Sequence, residues 1–505
     1  MKHRMPIALA LAAALAAATA LASCNHGSSG GGALPAANSA SEHDLSSARR
    51  ATAKLFDWPT FGDNLARWGY NPHENTIGIG SFGTLHALWS KPAQLGYHMQ
   101  GEPVIATNVN VNGVMHNLLY AGAGTGMVYA IDADTGATVW SKQLGSTTFQ
   151  CTPGHTTYWG VEGAGALDRT RNLLYIPDGA NDVHALDLGT GAEAAGWPIN
   201  IAPLNNLDFI HDGLNYNAKN GMLYVGTSSV CDVAPWHGRL TAINTATASI
   251  VNTFLTVPSG EGGGIWGYGG AAVDAATGNV FVATGNAVGT PQYSGYAEHV
   301  IELSSDLSTV IAQNHPTGMP PMPNADFGTT PLIFQPVGCP PLLGVVNKSG
   351  AFLLYNRASI SKGPTQMIDM SIAHEASFRQ VPAYDPVTNY VYIVLPSTYG
   401  IYQPGLGAFS IASNCTLNPT PVWNAVFGPD GSKTTAETTR SGVTIANGVV
   451  YVSGYTNNTT YAFDASTGTQ LWSAPLSGQG IVAPVVANGH LYVGDMSGAI
   501  HAWTP

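Results

Sequence analysis

Charged side chains are scarce in this 505-residue chain, where Asp, Glu, Lys and Arg together make up 10%. Basic residues are the scarcest, 18 Lys and Arg against 30 Asp and Glu, for a net charge of −12. That sign argues against nucleic acid or an anionic membrane surface as a partner. After the first two dozen residues no segment is long and apolar enough to span a bilayer as a helix. Cysteine is sparse as well, five in all, and none stands in a C-x-x-C-H arrangement, which excludes a covalently attached c-type haem. The isolated spacings also argue against a zinc site. What the chain has in quantity is glycine, 60 residues, with much Thr, Asn and Ser, the composition of a turn-rich all-β protein.

The order within that composition is repetition. Tyr129-Ala130-Ile131-Asp132-Ala133-Asp134-Thr135-Gly136, closing on Trp140, returns as Tyr461-Ala462-Phe463-Asp464-Ala465-Ser466-Thr467-Gly468, closing on Trp472. Each copy is an alternating apolar run, an Asp-x-x-Thr-Gly turn and a second short run, which predicts a β-hairpin. Asn447-Gly448 and Asn488-Gly489 mark a second kind of hairpin between copies. Two hairpins in series make a four-stranded antiparallel sheet, strands a to d. Closing tryptophans fall at 89, 140, 197, 423 and 472. The long gap between 197 and 423 holds four units of about 56 residues. Within it lie the expected strand b runs Met222-Leu223-Tyr224-Val225, Val280-Phe281-Val282-Ala283, Leu342-Leu343-Gly344-Val345 and Tyr390-Val391-Tyr392-Ile393. Residues 481–503 supply only strands a, b and c, and Leu85-His86-Ala87-Leu88-Trp89 supplies the missing outer strand. The expectation is an eight-bladed β-propeller over 57–505, closed by its N-terminal strand so that no long edge stays open.

The N-terminus reads differently. Lys2-His3-Arg4 is a basic start, Pro6 to Ala20 an apolar Ala/Leu core, and Leu21-Ala22-Ser23-Cys24 matches the bacterial lipoprotein cleavage box. We therefore expect a signal peptide over 1–23, a lipidated Cys24, and a flexible tether over 24–56. Asn25 after the cysteine favours the outer membrane, facing the periplasm, with the lipid anchor as the only membrane contact. Four cysteines remain for that oxidising compartment. In an a-b-c-d meander the b–c and d–a connections emerge at one end of the ring, the a–b and c–d connections at the other. Cys151 (d–a) and Cys231 (b–c) share the first end. Cys339 (a–b) and Cys415 (c–d) share the second. The predicted pairs are Cys151–Cys231 and Cys339–Cys415.

These repeats resemble the pyrroloquinoline quinone (PQQ) type propeller family, which includes quinoprotein alcohol dehydrogenases and non-catalytic outer-membrane assembly lipoproteins. The opening Asp57-Trp58-Pro59-Thr60-Phe61-Gly62 and Gly69-Tyr70-Asn71-Pro72 are similar to that family as well. Trp266-Gly267, Asp274 and Ala283-Thr284-Gly285-Asn286 resemble the enzymes' tryptophan, aspartate and Thr-Gly-Asn pattern. The resemblance implies Trp266 against the quinone, Asn286 on a calcium ion, Lys348 on the quinone oxygens and Asp326 as the base that accepts an alcohol proton. Glu162 or Asp178 would supply the calcium carboxylate, a choice the sequence leaves open. By the meander rule all six residues emerge at the same end of the ring, the end that also carries the long b–c loops.

Two function classes follow. One is hydride transfer from an alcohol or polyol to a calcium-bound PQQ, with an external electron acceptor because no haem module is present. The adjacent Cys-Cys pair found over the quinone in many such enzymes is absent. The other is a non-catalytic propeller scaffold that binds envelope proteins.

Overall fold

A computed structural model describes residues 54–505 apart from 204–206, 290, 321–325, 371–380 and 428–440. The expected signal peptide, Cys24 and most of the expected tether lie outside the described residues. From Val104 onward the chain forms eight consecutive antiparallel sheets around an axis. Blade 1 comprises Val104–Val111, Val114–Gly122, Met127–Asp132 and Thr138–Gln143. Blades 2 to 7 repeat the a-b-c-d order and each has four strands, with Tyr70–Asn71 added in parallel to strand a of blade 7. The strand b runs read from sequence are those observed, including Met222–Thr227, Val280–Ala283, Leu342–Val346 and Tyr390–Leu395.

Blade 8 takes strands a to c from the C-terminus and its outer strand from the N-terminal part. His86–Ala87 pairs antiparallel with Ala499–Thr504 (His86 opposite Thr504). One additional two-stranded sheet, Thr147–Thr152 with His155–Trp159, stands between blades 1 and 2. Both disulfides form as expected, Cys151–Cys231 with Cα atoms 5.2 Å apart and Cys339–Cys415 with 5.6 Å.

The repeated turn is a joint between blades. Asp132 Oδ1 accepts from the backbone N–H and hydroxyl of Thr135, both at 2.8 Å, and Gly136 takes φ 75°. Leaving Gly136 without a Cβ lets the Trp89 indole of blade 8 lie against it. Trp89 Nε1 and the Tyr492 hydroxyl then both donate to Ala133 O, at 3.2 and 3.1 Å, which closes the ring between blades 8 and 1. Trp140 and Tyr120 repeat this on Leu188 O, and Trp423 and Tyr392 on Ala465 O. Trp and Gly recur in the sequence because the tryptophan of one blade packs on the glycine of the next.

The segment before blade 1 crosses the ring. Trp58 exchanges backbone hydrogen bonds with Ile105 of blade 1, both 2.9 Å. Pro59 O accepts from Leu167 N of blade 2 at 2.9 Å, and the Thr60 hydroxyl donates to Leu214 O of blade 3 at 2.9 Å. Leu65 O, Ala66 O, Trp68 O and Gly69 O accept from Val273, Ile333, Tyr384 and Ile445 of blades 4 to 7. Asn71 Nδ2 donates to Val486 O of blade 8 at 2.7 Å. One short stretch thus bonds the inner strand of every blade in turn. Gly69 is required there: its φ is 63°, and a Cβ would collide with Val443 O.

Candidate functional site at the b–c and d–a end of the ring

Asp326 enters strand a of blade 5 and is 3% exposed. Its Oδ1 accepts the backbone N–H of Asn286 at 2.9 Å, and its Oδ2 lies 3.4 Å from Lys348 Nζ. Lys348 N in turn donates to Asp326 O at 2.9 Å, so the b–c turn of blade 5 and its own entry strand hold each other. Gly285 makes this approach feasible, since a Cβ there would collide with Asp326 Oδ1 and Trp266 Nε1. Burial pushes the Asp326 carboxyl up to about 7, against the pull of the Lys348 charge and the Asn286 N–H, with the Asp232 charge adding to the rise. The structure therefore brings Trp266, Asn286, Asp326 and Lys348 into one cluster spanning blades 4 and 5.

Around it stand aromatic rings the sequence reading did not single out. Trp236 lies 5.8 Å from Trp266 and His211 5.4 Å, and Trp159 lies 4.4 Å from His211. Several buried polar atoms here have no hydrogen-bond partner among the described residues: Trp159 Nε1, Ser228 Oγ, Trp236 Nε1 and Ser349 Oγ. A buried donor or acceptor left unmade costs about 1–3 kcal/mol, so each of these atoms is a point where a partner would stabilise the fold.

The two candidate calcium carboxylates are placed differently. Glu162 is 1% exposed and pairs with His98, Oε1 to Nε2 2.7 Å, while its Oε2 has no partner among the described residues. Asp178 accepts from Gly145 N (2.7 Å), Ala180 N (2.8 Å), Asp182 N (3.0 Å) and His184 Nε2 (3.0 Å). Asp495 of blade 8 does the same work, accepting from Ser477 N, Gly478 N, Ser497 N and His501 Nε2. Both are Asp-x5-His units that pin a b–c turn to the preceding d–a connection. Aligning the blades of the sequence on that spacing would have shown it. Among the described residues no three His, Cys, Asp or Glu side chains come together as a metal cluster. Asp274 also has a structural partner, Arg357, at the other end of the ring.

The Asp178 pin carries a pH signature. His184 is buried, which by itself lowers its pKa, but hydrogen bonds and charge from Asp178 and Glu193 outweigh this and raise it to about 9. Lys142 faces the same group through Glu193 at 3.3 Å. A histidine whose folded pKa exceeds the unfolded one stabilises fully below about 6.5, and that contribution fades as pH rises through about 9. The expected loss is about 3 kcal/mol. Denaturant melts between pH 6 and 9.5 should show this decline in the wild type and a flatter profile in His184→Gln. Parallel profiles would refute it.

The fold is that of an eight-bladed propeller of the PQQ-repeat class. A family model described as outer membrane protein assembly factor BamB matches residues 114–282 and 417–503, half of the chain, and the chain belongs to this family. Among curated proteins, BamB of Taylorella asinigenitalis is 28% identical over 176 residues, 32% of this chain and 42% of that protein. The glycerol dehydrogenase large subunit of Gluconobacter oxydans is 44% identical over 61 residues, 12% of this chain and 8% of that protein. The chain thus spans less than half the length of either relative. Among solved structures, the quinohemoprotein alcohol dehydrogenase ADHIIG of Pseudomonas putida HK5 superposes with a TM-score of 0.65 at 15% identity, over 89% of this chain and 80% of that one. A europium-containing methanol dehydrogenase gives 0.65 at 13% identity, over 91% and 99%. BamB of Moraxella catarrhalis gives 0.53 at 13% identity, over 84% and 100%. These likenesses establish the eight-bladed fold.

Proposed function

We propose that the b–c and d–a end of the ring is a quinone redox site and that the chain is a PQQ-type oxidoreductase acting on an alcohol or polyol. The observation that carries this reading is the buried Asp326, held by Asn286 N–H beside Lys348, with its carboxyl raised to about 7. A base with a pKa near the working pH is suited to exchanging a proton with substrate. The buried polar atoms nearby that lack a partner among the described residues fit a ligand rich in oxygens. When bound, the quinone would supply the two-electron acceptor. Lys348 would hold its oxygens by charge, Trp266 and Trp236 would confine it, and Asp326 would take the hydroxyl proton. An external acceptor would carry electrons onward. Calcium fits less well: Asp178 is committed to His184, and Glu162 gives one of its two oxygens to His98. Two disulfides agree with an oxidising compartment. We place the protein in the cell envelope, lipid-anchored through Cys24 at the outer membrane.

The second reading is a scaffold that binds envelope proteins. What favours it is closure, since Trp266, Asp326 and Lys348 are each at most 4% exposed. Titrating the protein with PQQ, with and without calcium, separates the two readings. Quinone absorbance should shift on binding, and a dye should be reduced when glycerol or ethanol is added. Absence of both effects would leave the scaffold.

A further inference from the structure

At the opposite end of the ring a cavity of about 910 Å³ opens between the crossing segment and the a–b turns. Its walls are apolar: Pro59, Leu65 and Trp68 from the crossing segment, Leu167 from blade 2, and Ala275 and Pro386 from the turns of blades 4 and 6. Such a volume is that of a small-molecule site. The crossing segment, which bonds every blade, forms one wall of the cavity, and the exposed residues of the lining mark its mouth.

The mouth has chemistry of its own. Lys219 and His73 line the cavity and are both exposed, two basic side chains in a chain of net charge −12. Lys219 Nζ is anchored on Ala275 O at 2.6 Å, which leaves further N–H donors on the ammonium. The His73 ring is stacked on Phe56 at 3.7 Å. Val387, beside Pro386, is 77% exposed and gives the rim an apolar lip. The one acid of the lining, Asp63, is driven up to about 7 by burial and carries little charge at pH 6. An apolar pocket with a lysine ammonium at its entrance matches a molecule that is apolar along its length and anionic at one end. We propose that this cavity is a binding site for a long-chain alkyl carboxylate, its chain along Leu65 and Trp68 and its carboxylate at Lys219. The site is independent of any redox activity at the other end.

Calorimetry with dodecanoate at pH 6, below its micellar concentration, tests this on the full chain. Saturable one-to-one binding is expected, with about tenfold weakening in Lys219→Met and no change for dodecanol in that variant. Ala275→Trp and Ala218→Trp, both in exposed turns, should block both ligands. 12-Bromododecanoate should quench fluorescence in the wild type and less in Trp68→Phe. No saturable binding in the wild type would overturn the proposal, as would binding unchanged by both filling variants. Equal affinities for dodecanoate in the wild type and Lys219→Met would overturn the carboxylate assignment.

Discussion

Arg67→Met is expected to cost about 3–5 kcal/mol of stability, because it strips five oxygen acceptors of one buried cation. The guanidinium is fully buried, donating to the Thr60 hydroxyl and Phe61 O at 2.8 Å, to Leu214 O at 3.1 Å, and to Gly213 O and Ala271 O at 3.3 Å. It thereby ties the crossing segment to itself and to blades 3 and 4. Burial lowers its pKa to about 9, while the charges of Glu102 and Asp212 hold it up. Those acids are buried too, and Glu102 Oε1 is bound by Trp58 Nε1 at 2.6 Å and Gly62 N at 2.8 Å. Removing the cation leaves their pKa values without its restraining charge. Methionine fills much of the volume, so a cavity contributes little and the loss reports on polar partners. Guanidinium chloride melts followed by tryptophan fluorescence measure it. A loss below about 1 kcal/mol would show that the segment is held by its backbone alone. Arg67→Lys should recover part of the loss, since an ammonium offers three donors where the guanidinium offers five.

Asp326→Asn is expected to lower dye-linked turnover by about 10²–10⁴-fold while leaving PQQ affinity within a few fold. The Asn286 N–H retains an oxygen to donate to, so the local backbone keeps its tie. Lys348→Met should behave oppositely, weakening PQQ binding first, because its charge acts on the ligand. In the wild type the rate should rise with pH through about 7, as Asp326 ionises. The Asn variant should lack that limb. Equal turnover in the wild type and Asp326→Asn would remove Asp326 from the chemistry, whereas intact binding in Lys348→Met would remove Lys348 from the ligand. Circular dichroism on each variant separates a lost site from a lost fold.

The ring was legible because its determinants are local and repeated. Asp132, Gly136 and Trp140 announce a turn and a strand wherever they recur, and the alternation of strand direction sorts connections to two ends. That is why Cys151 and Cys339 could be matched to Cys231 and Cys415. The crossing segment was less legible. Its hydrogen bonds leave from backbone atoms of Pro59, Leu65, Ala66, Trp68 and Gly69, and backbone acceptors leave no signature in side-chain pattern. The cluster of Trp266, Asn286, Asp326 and Lys348 was visible as residue types near the right connections. Their neighbours Trp159, His211 and Trp236 were not, because they come from connections of different blades and only the closed ring brings them together.

The joint at Ala133 also sets a timetable. Among the first residues of the ring to leave the ribosome, Asn71 bonds to Val486 and His86 pairs with Thr504, among the last, and Trp89 shares the Ala133 acceptor with Tyr492. Until Trp503 has been made, the outer place in blade 8 does not exist and the early strand has nowhere to pair. A growing chain must therefore carry His86 and Ala87 unpaired through the synthesis of seven blades, while the crossing segment before them gains a partner with each blade. Closure of this ring, as distinct from formation of its blades, is therefore an event of the last blade.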